Sequence, residues 1–261
     1  MEAAMRVSAL HCHAALLFSC AIEFASAATS CSVSSPPQRA ALVELYTSEG
    51  CNSCPPADNW LSALDQTRNT KAVVPLALHV DYWDNLGWKD RFAQPTFTSR
   101  QQHLSAHGGK HVVYTPEVFV GGQELRSWSN EETFATRVHQ LNAESPLVEI
   151  HIDAHAVPSG NMAFDAAFKA TERLPEDAVA YMAIYENRVE SPVKAGENTG
   201  VTLHHNRVVR RWIGPVNFVN GRATISGGYS TDAGRSGLVA FVESPATGEV
   251  LQVVELSSCG G

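Results

Sequence analysis

Hydrophobic and polar positions give the chain two textures. Residues 41–46 form an apolar run broken by Glu44, as in a strand, and residues 57–64 set Ala57, Trp60, Leu61 and Leu64 at helical spacing. Residues 73–80 form a second apolar run, so strand, helix and strand predict a right-handed parallel crossover. Pro95 opens a further helix reaching about Ala106, ahead of Gly108-Gly109. Residues 117–120, the pair Gly121-Gly122 and residues 123–128 predict a hairpin, and the amphipathic stretch 131–141 predicts a closing helix.

After Ser145-Pro146 the pattern changes. Residues 147–156, 162–170, 178–185, 201–212 and 238–256 are strand-like, with Gly and Pro between them, and Val148, Ile150 and Ile152 alternate with Glu149, His151 and Asp153. That alternation predicts half-exposed antiparallel sheet. The expected architecture is an α/β domain over residues 41–145, ordered βαβαββα with an insertion after the second strand, followed by an all-β, sandwich-like domain over 146–261. Residues 28–40, rich in Ser, Thr and Pro, form an extended lead-in.

Residues 1–27 have the form of a secretory signal: Arg6, an apolar stretch over 14–22, and the small-residue site Ala25-Ser26-Ala27. Cleavage near Ala27 would place the protein in the periplasm or outside the cell, and no segment is long and apolar enough for a transmembrane span. Leu17-Phe18-Ser19-Cys20 fits a lipidation site poorly because Phe18 is bulky. A formal charge of −8 argues against nucleic acid as a partner.

Cleavage would remove Cys12 and Cys20 and leave Cys31, Cys51, Cys54 and Cys259. Cys31 and Cys259, near the two ends, could form a structural disulfide in an oxidising compartment or remain separate thiols. The close pair carries the chemistry. Cys51-Asn52-Ser53-Cys54 between a strand and a helix places Cys51 at the helix N-terminus, where unpaired N–H groups and the dipole favour thiolate. Cys51 is then the nucleophile and Cys54 the resolving thiol. Pro55 and Pro56 suit a first helical turn and leave the amides of Ser53 and Cys54 for the sulfur. A structural short-loop disulfide and half a metal site are the alternatives.

Strand, CxxC-Pro, helix and strand, then Tyr114-Thr115-Pro116 before a strand and glycine hairpin, resemble the thioredoxin superfamily over about residues 41–143. The resemblance implies that Pro116 is a cis-proline facing the cysteines and that the backbone of Thr115 can pair with a substrate strand; an ordinary turn proline is the alternative. Residues 43–58, His79-Val80-Asp81-Tyr82-Trp83-Asp84, Leu86-Gly87-Trp88-Lys89-Asp90, Arg100-Gln101, Tyr114-Thr115-Pro116 and Gly196-Glu197-Asn198-Thr199-Gly200 further resemble an exported bacterial family catalogued as domain of unknown function 1223. That family carries no established reaction.

Other residues complete the expected site. Glu44 is a candidate proton-transfer base for the resolving thiol, or a buried partner of a basic group. Asp58, one turn past Cys54, shares its helix face. His79 and Asp81 end the second strand, where Asp81 could orient His79. Tyr82, Trp83 and Trp88 form a lid core or an aromatic wall, and Tyr114 of the Tyr114-Thr115-Pro116 motif is a supporting residue of the site. His103, His107 and His111 recur four apart, but Gly108-Gly109 argues for scattered surface histidines, and adjacent His204 and His205 should face opposite ways. Glu49 should oppose thiolate formation, and residues 196–200 form either a plain loop or a segment reaching towards the cysteines.

The leading expectation is an exported thiol–disulfide oxidoreductase without a cofactor, acting on a protein thiol or disulfide and served by a redox partner protein. Copper(I) handling by Cys51, Cys54 and His79, or a non-catalytic binding module, are the alternatives.

Overall fold

The computed structural model describes residues 30–67, 72–109, 112–158, 160–230, 235–257 and 259. The expected signal segment and His111 lie outside these residues. In chain order the elements are β1 (Ser30–Ser34), β2 (Ala41–Thr47), α1 (Pro55–Thr67), β3 (Val73–His79), a 3-10 turn (Asp84–Leu86), α2 (Pro95–His107), β4 (Glu117–Val120), β5 (Gln123–Glu124) and α3 (Glu131–Asn142). The second half holds β6 (Val148–Ala156), β7 (Met162–Ala170), β8 (Val179–Glu186), β9 (Val189–Pro192), β10 (Thr202–His205), β11 (Val208–Asn217), β12 (Arg222–Tyr229), β13 (Ser236–Ser244) and β14 (Glu249–Leu256).

The expected α/β thioredoxin-like domain followed by a separate β sandwich is corrected by this arrangement. Among the described residues the protein is mostly β, with 44% in strands against 18% in helices. One eight-stranded mixed sheet, ordered β14-β13-β8-β11-β3-β2-β4-β5, runs through both halves of the chain. The join is parallel, β11 lying against β3 with Val208 opposite Ala77. Hydrophobic periodicity identifies strands but not their neighbours, so it could not show that the open edge of β3 is taken by a strand from the second half. A four-stranded antiparallel sheet, β1-β6-β7-β12, packs on the large sheet, and β9 pairs with β10.

All seven residues of β2 are buried, as expected for a strand covered on both faces. Its alternation divides the core. Ala41, Val43 and Leu45 pack with Ala57 and Leu61 of α1 and Phe134 and Leu141 of α3. Leu42 and Tyr46 pack on the other face with Phe97 and Leu104 of α2 and with Tyr185, Val209 and Phe241 from the second half. Ala180, Met182 and Ile184 of β8 and Leu238, Ala240 and Val242 of β13 face Ile150, Ile152, Phe164 and Phe168 of the smaller sheet. α3 starts where the Asn130 side chain accepts from the Thr133 N–H at 2.8 Å, with Glu131 and Glu132 in its positive first turn. A disulfide joins Cys31 on β1 to Cys259, 228 residues away. No helix among the described residues is long and apolar enough to cross a membrane.

Candidate functional site

β2 ends at Thr47, and the chain turns through Ser48, Glu49 and Gly50 into the dithiol. The turn is closed by the Cys51 N–H donating to Ser48 O at 3.1 Å and the Gly50 N–H donating to Ser48 Oγ at 3.1 Å. Gly50 has no side chain because Trp83 lies against it; a Cβ there would meet Trp83 Cβ at 3.3 Å. Cys51 and Cys54 are joined as a disulfide with Cα atoms 5.5 Å apart, and α1 starts at the next residue. Both cysteines are buried, whereas Asn52 and Ser53 between them are exposed. Cys51 Sγ lies 3.3 Å from Ser53 Oγ and 3.8 Å from the carbonyl oxygen of Thr115, whose bond to Pro116 is cis. The Cys54 N–H donates to Cys51 O at 3.3 Å, so this amide is not free for the sulfur.

A buried polar network forms the floor of the turn. Glu49 accepts from Trp88 Nε1 at 2.7 Å, and its other oxygen lies 3.6 Å from His205 Nε2. The second nitrogen of His205 is 3.9 Å from Asp58 Oδ2, which accepts from Thr47 Oγ1 at 3.3 Å. Asp90 sits 2.6 Å from His79 Nδ1 and accepts the backbone N–H groups of Glu49 and Phe92, each at 2.9 Å. The rings of His79 and His205 meet edge to face at 5.1 Å.

Burial and pairing compete within this floor. Burial works against the charged form of Asp90, yet His79 and the two backbone N–H donors hold its carboxyl below the usual carboxylate range. Burial likewise opposes the His79 imidazolium, but Asp90 beside it holds the imidazole above its ordinary value. Glu49 is held down against burial by the neighbouring His205 ring and the bond from Trp88. Asp58 behaves differently: burial pushes it up, and the nearby histidines do not reverse that. A cavity of about 190 Å³ beside the first turn of α1 is lined by Asp58, Asn59 and His205.

A segment of the second half closes over the turn. Asn198 is buried and donates from Nδ2 to Glu49 O at 2.9 Å and to Cys51 O at 3.0 Å. The exposed Glu197 accepts the Asn52 N–H at 3.1 Å. Gly196, at φ +75°, approaches Trp88 so closely that a Cβ would meet Trp88 Cβ at 3.1 Å. Residues 84–88, 196–200 and the dithiol turn are thereby interlocked.

A family model described as a protein of unknown function, DUF1223, matches residues 42–243. The chain belongs to the DUF1223 family. Two solved structures resemble this DUF1223 protein. One is an Agrobacterium tumefaciens protein solved by X-ray crystallography for structural genomics, 22% identical, with TM-score 0.60, covering 86% of this chain and 97% of that one. The other is HBP35 of Porphyromonas gingivalis, 13% identical, with TM-score 0.63, covering 85% of this chain and 76% of that one. At these identities the likeness concerns the fold. No curated protein matches the sequence.

The DUF1223 structure places the expected site residues as follows. Glu44 lies on the face of β2 that meets α2 and pairs with Arg100 Nε at 2.6 Å, while Arg100 also binds Glu243 at 2.7 Å. Asp81 accepts from Thr98 Oγ1 at 2.5 Å, and the group that orients His79 is Asp90. Asp58 lies in the network below the dithiol, and Trp83 against Gly50. Tyr114 is 37% exposed and donates to Glu124 at 2.7 Å, while Gln101 donates to its carbonyl at 2.8 Å. His103 and His107 are exposed on α2, with Nε2 atoms 3.2 Å apart. Among the described residues no group of three or more His, Cys, Asp or Glu side chains is placed to hold a metal ion.

Asp90 and His205 were given no site role by the sequence, whereas Glu197 and Asn198 belong to the 196–200 segment, whose expected alternative of reaching towards the cysteines is the arrangement found. The signal available for Asp90 was its place in the polar 81–91 stretch; for Glu197 and Asn198 it was the family-like 196–200 run. His205 follows from strand alternation, being buried while His204 is exposed.

Proposed function

We propose that this protein carries out thiol–disulfide exchange through Cys51 and Cys54 on protein substrates, after export to the periplasm or the exterior, with a dithiol or disulfide protein as redox partner. The observation that carries the reading is the placement of two bonded cysteines at the entry to α1, with exposed Asn52 and Ser53 between them and the Thr115 backbone 3.8 Å from the Cys51 sulfur. The Cys51 thiolate attacks a substrate disulfide, the substrate S–S bond breaks, and one substrate sulfur leaves and takes a proton. Cys54 then loses its proton and attacks Cys51 Sγ, which re-forms the Cys51–Cys54 bond and releases the second substrate thiol. The pair loses two electrons and the substrate gains them.

The burial of both sulfurs favours a second reading, a binding module whose dithiol is structural. Cys54→Ser separates the two. Under the exchange reading it accumulates mixed disulfides at Cys51 that disappear with Cys51→Ser. No trapped species, together with a bond that resists dithiothreitol in the folded protein, selects the structural reading.

A further inference from the structure

The amides that lead into α1 are largely taken. The Cys51 N–H donates to Ser48 O at 3.1 Å and the Cys54 N–H to Cys51 O at 3.3 Å. The Asn52 N–H, next to the attacking sulfur in sequence, donates at 3.1 Å to a carboxylate, Glu197 Oε2, delivered from the second half. A helix entry stabilises an anion through such donors. Here an anion is already present.

We infer that Glu197 is a positioning residue that withholds the Asn52 amide from the Cys51 thiolate and sets its own charge against it, so that the dithiol is poised to reduce protein disulfides. The inference rests on the exchange chemistry proposed above and gives it a direction. A like charge beside an ionising thiol disfavours the thiolate. Destabilising the reduced, ionised dithiol makes its reduction potential more negative, the reverse of what makes a strong oxidant of a dithiol whose reduced form is stabilised. The pair then gives two electrons to a substrate disulfide and is restored by a more reducing dithiol donor. Asn198 fixes the geometry, because its two bonds to Glu49 O and Cys51 O hold its neighbour Glu197 over the turn. The other titratable groups around the turn are Glu49, Asp58 and Asp90 with His79 and His205. All five are buried and unchanged by substitution of the exposed Glu197, so a comparison at this residue isolates its charge.

The test uses the reduced full-length protein with Cys51 titrated by thiolate absorbance in the ultraviolet, a readout that needs no substrate and no access to the sulfur. Glu197→Gln is expected to move the titration midpoint down by on the order of half a pH unit, about a threefold gain in thiolate below the midpoint, after allowance for solvent screening. Above the midpoint, the equilibrium with glutathione should shift by about the same factor towards the reduced dithiol, roughly 14 mV for a two-electron couple. Glu197→Ala should move both quantities in the same direction. Superimposable titrations for wild type and Glu197→Gln overturn the inference, as does a shift seen only with Glu197→Ala, which would assign the effect to loop anchoring. If Cys51 titrates as expected while Cys54→Ser traps no substrate, the exchange reading fails and the electrostatic role of Glu197 stands.

Discussion

Asn198 grips the dithiol turn by donating to the carbonyl oxygens of both Glu49 and Cys51, at 2.9 and 3.0 Å, although 147 residues separate it from Cys51 in sequence. The Cys51–Cys54 turn is therefore held by both halves of the chain. Asn198→Ala leaves two buried acceptors without this donor, a loss of about 1–3 kcal/mol. A lower melting temperature is expected, together with faster reduction of Cys51–Cys54 by dithiothreitol under native conditions. Unchanged reduction kinetics would show that the clamp does not control access.

The Asp90–His79 pair should leave a pH signature. His79 is held above its ordinary value, so its contribution is complete below the unfolded-state value, about 6.5, and is lost as pH rises through the folded value. Asp90 is held below its ordinary value, so its contribution is present above about 3.9 and is lost as pH falls through the folded value. Asp90→Asn removes the carboxylate and should cost about 2–4 kcal/mol near pH 6, less than that at pH 9. Urea unfolding of both proteins across pH 4–9 checks this, and a difference independent of pH would refute the coupling.

Legibility in the sequence was uneven, for physical reasons. Apolar runs located β2, β3 and most second-half strands, because burial imposes periodicity. The run 201–212 concealed a turn between β10 and β11, and 238–256 one between β13 and β14, since tight turns at Asn206-Arg207 and around Gly248 barely interrupt an apolar pattern. The short β1 and β9 and the eight-residue β12 were not read as strands. Sheet order was illegible because no local pattern encodes that Val208 sits beside Ala77. At the site, Cys51, Cys54, Thr115 and Pro116 could be read from local motifs. Asp90 and His205 could not, because each is brought to the dithiol by tertiary packing, and for Asn198 the sequence offered only the alternative that its 196–200 run reaches the cysteines.

Glu44 offers a test that separates a structural from a chemical role. Its carboxylate is committed to Arg100, which is itself buried and shared with Glu243 at 2.7 Å. Glu44→Gln breaks one arm of a buried ion triad and should destabilise the fold by about 3 kcal/mol. The pH profile of Cys51 alkylation at low temperature, where the variant remains folded, is expected to match wild type. A displaced profile would return Glu44 to the proton pathway.

Cys31–Cys259 closes a loop of 228 residues, and the chain-entropy account of cross-links makes such a long loop costly to open. Cys31→Ser with Cys259→Ser should lower the unfolding free energy by up to about 5 kcal/mol, reduced by any structure retained in the unfolded state. The bridge ties β1, which pairs with β6 at Cys31 opposite Ala154, to the segment after β14, so its loss should first free this edge strand. Hydrogen exchange should then rise at residues 30–34 before the eight-stranded sheet is affected. Because the bridge lies on the smaller sheet and the dithiol at the entry to α1, the reduction potential of Cys51–Cys54 should remain at its wild-type value. A shift in that potential would couple the two disulfides and overturn the separation.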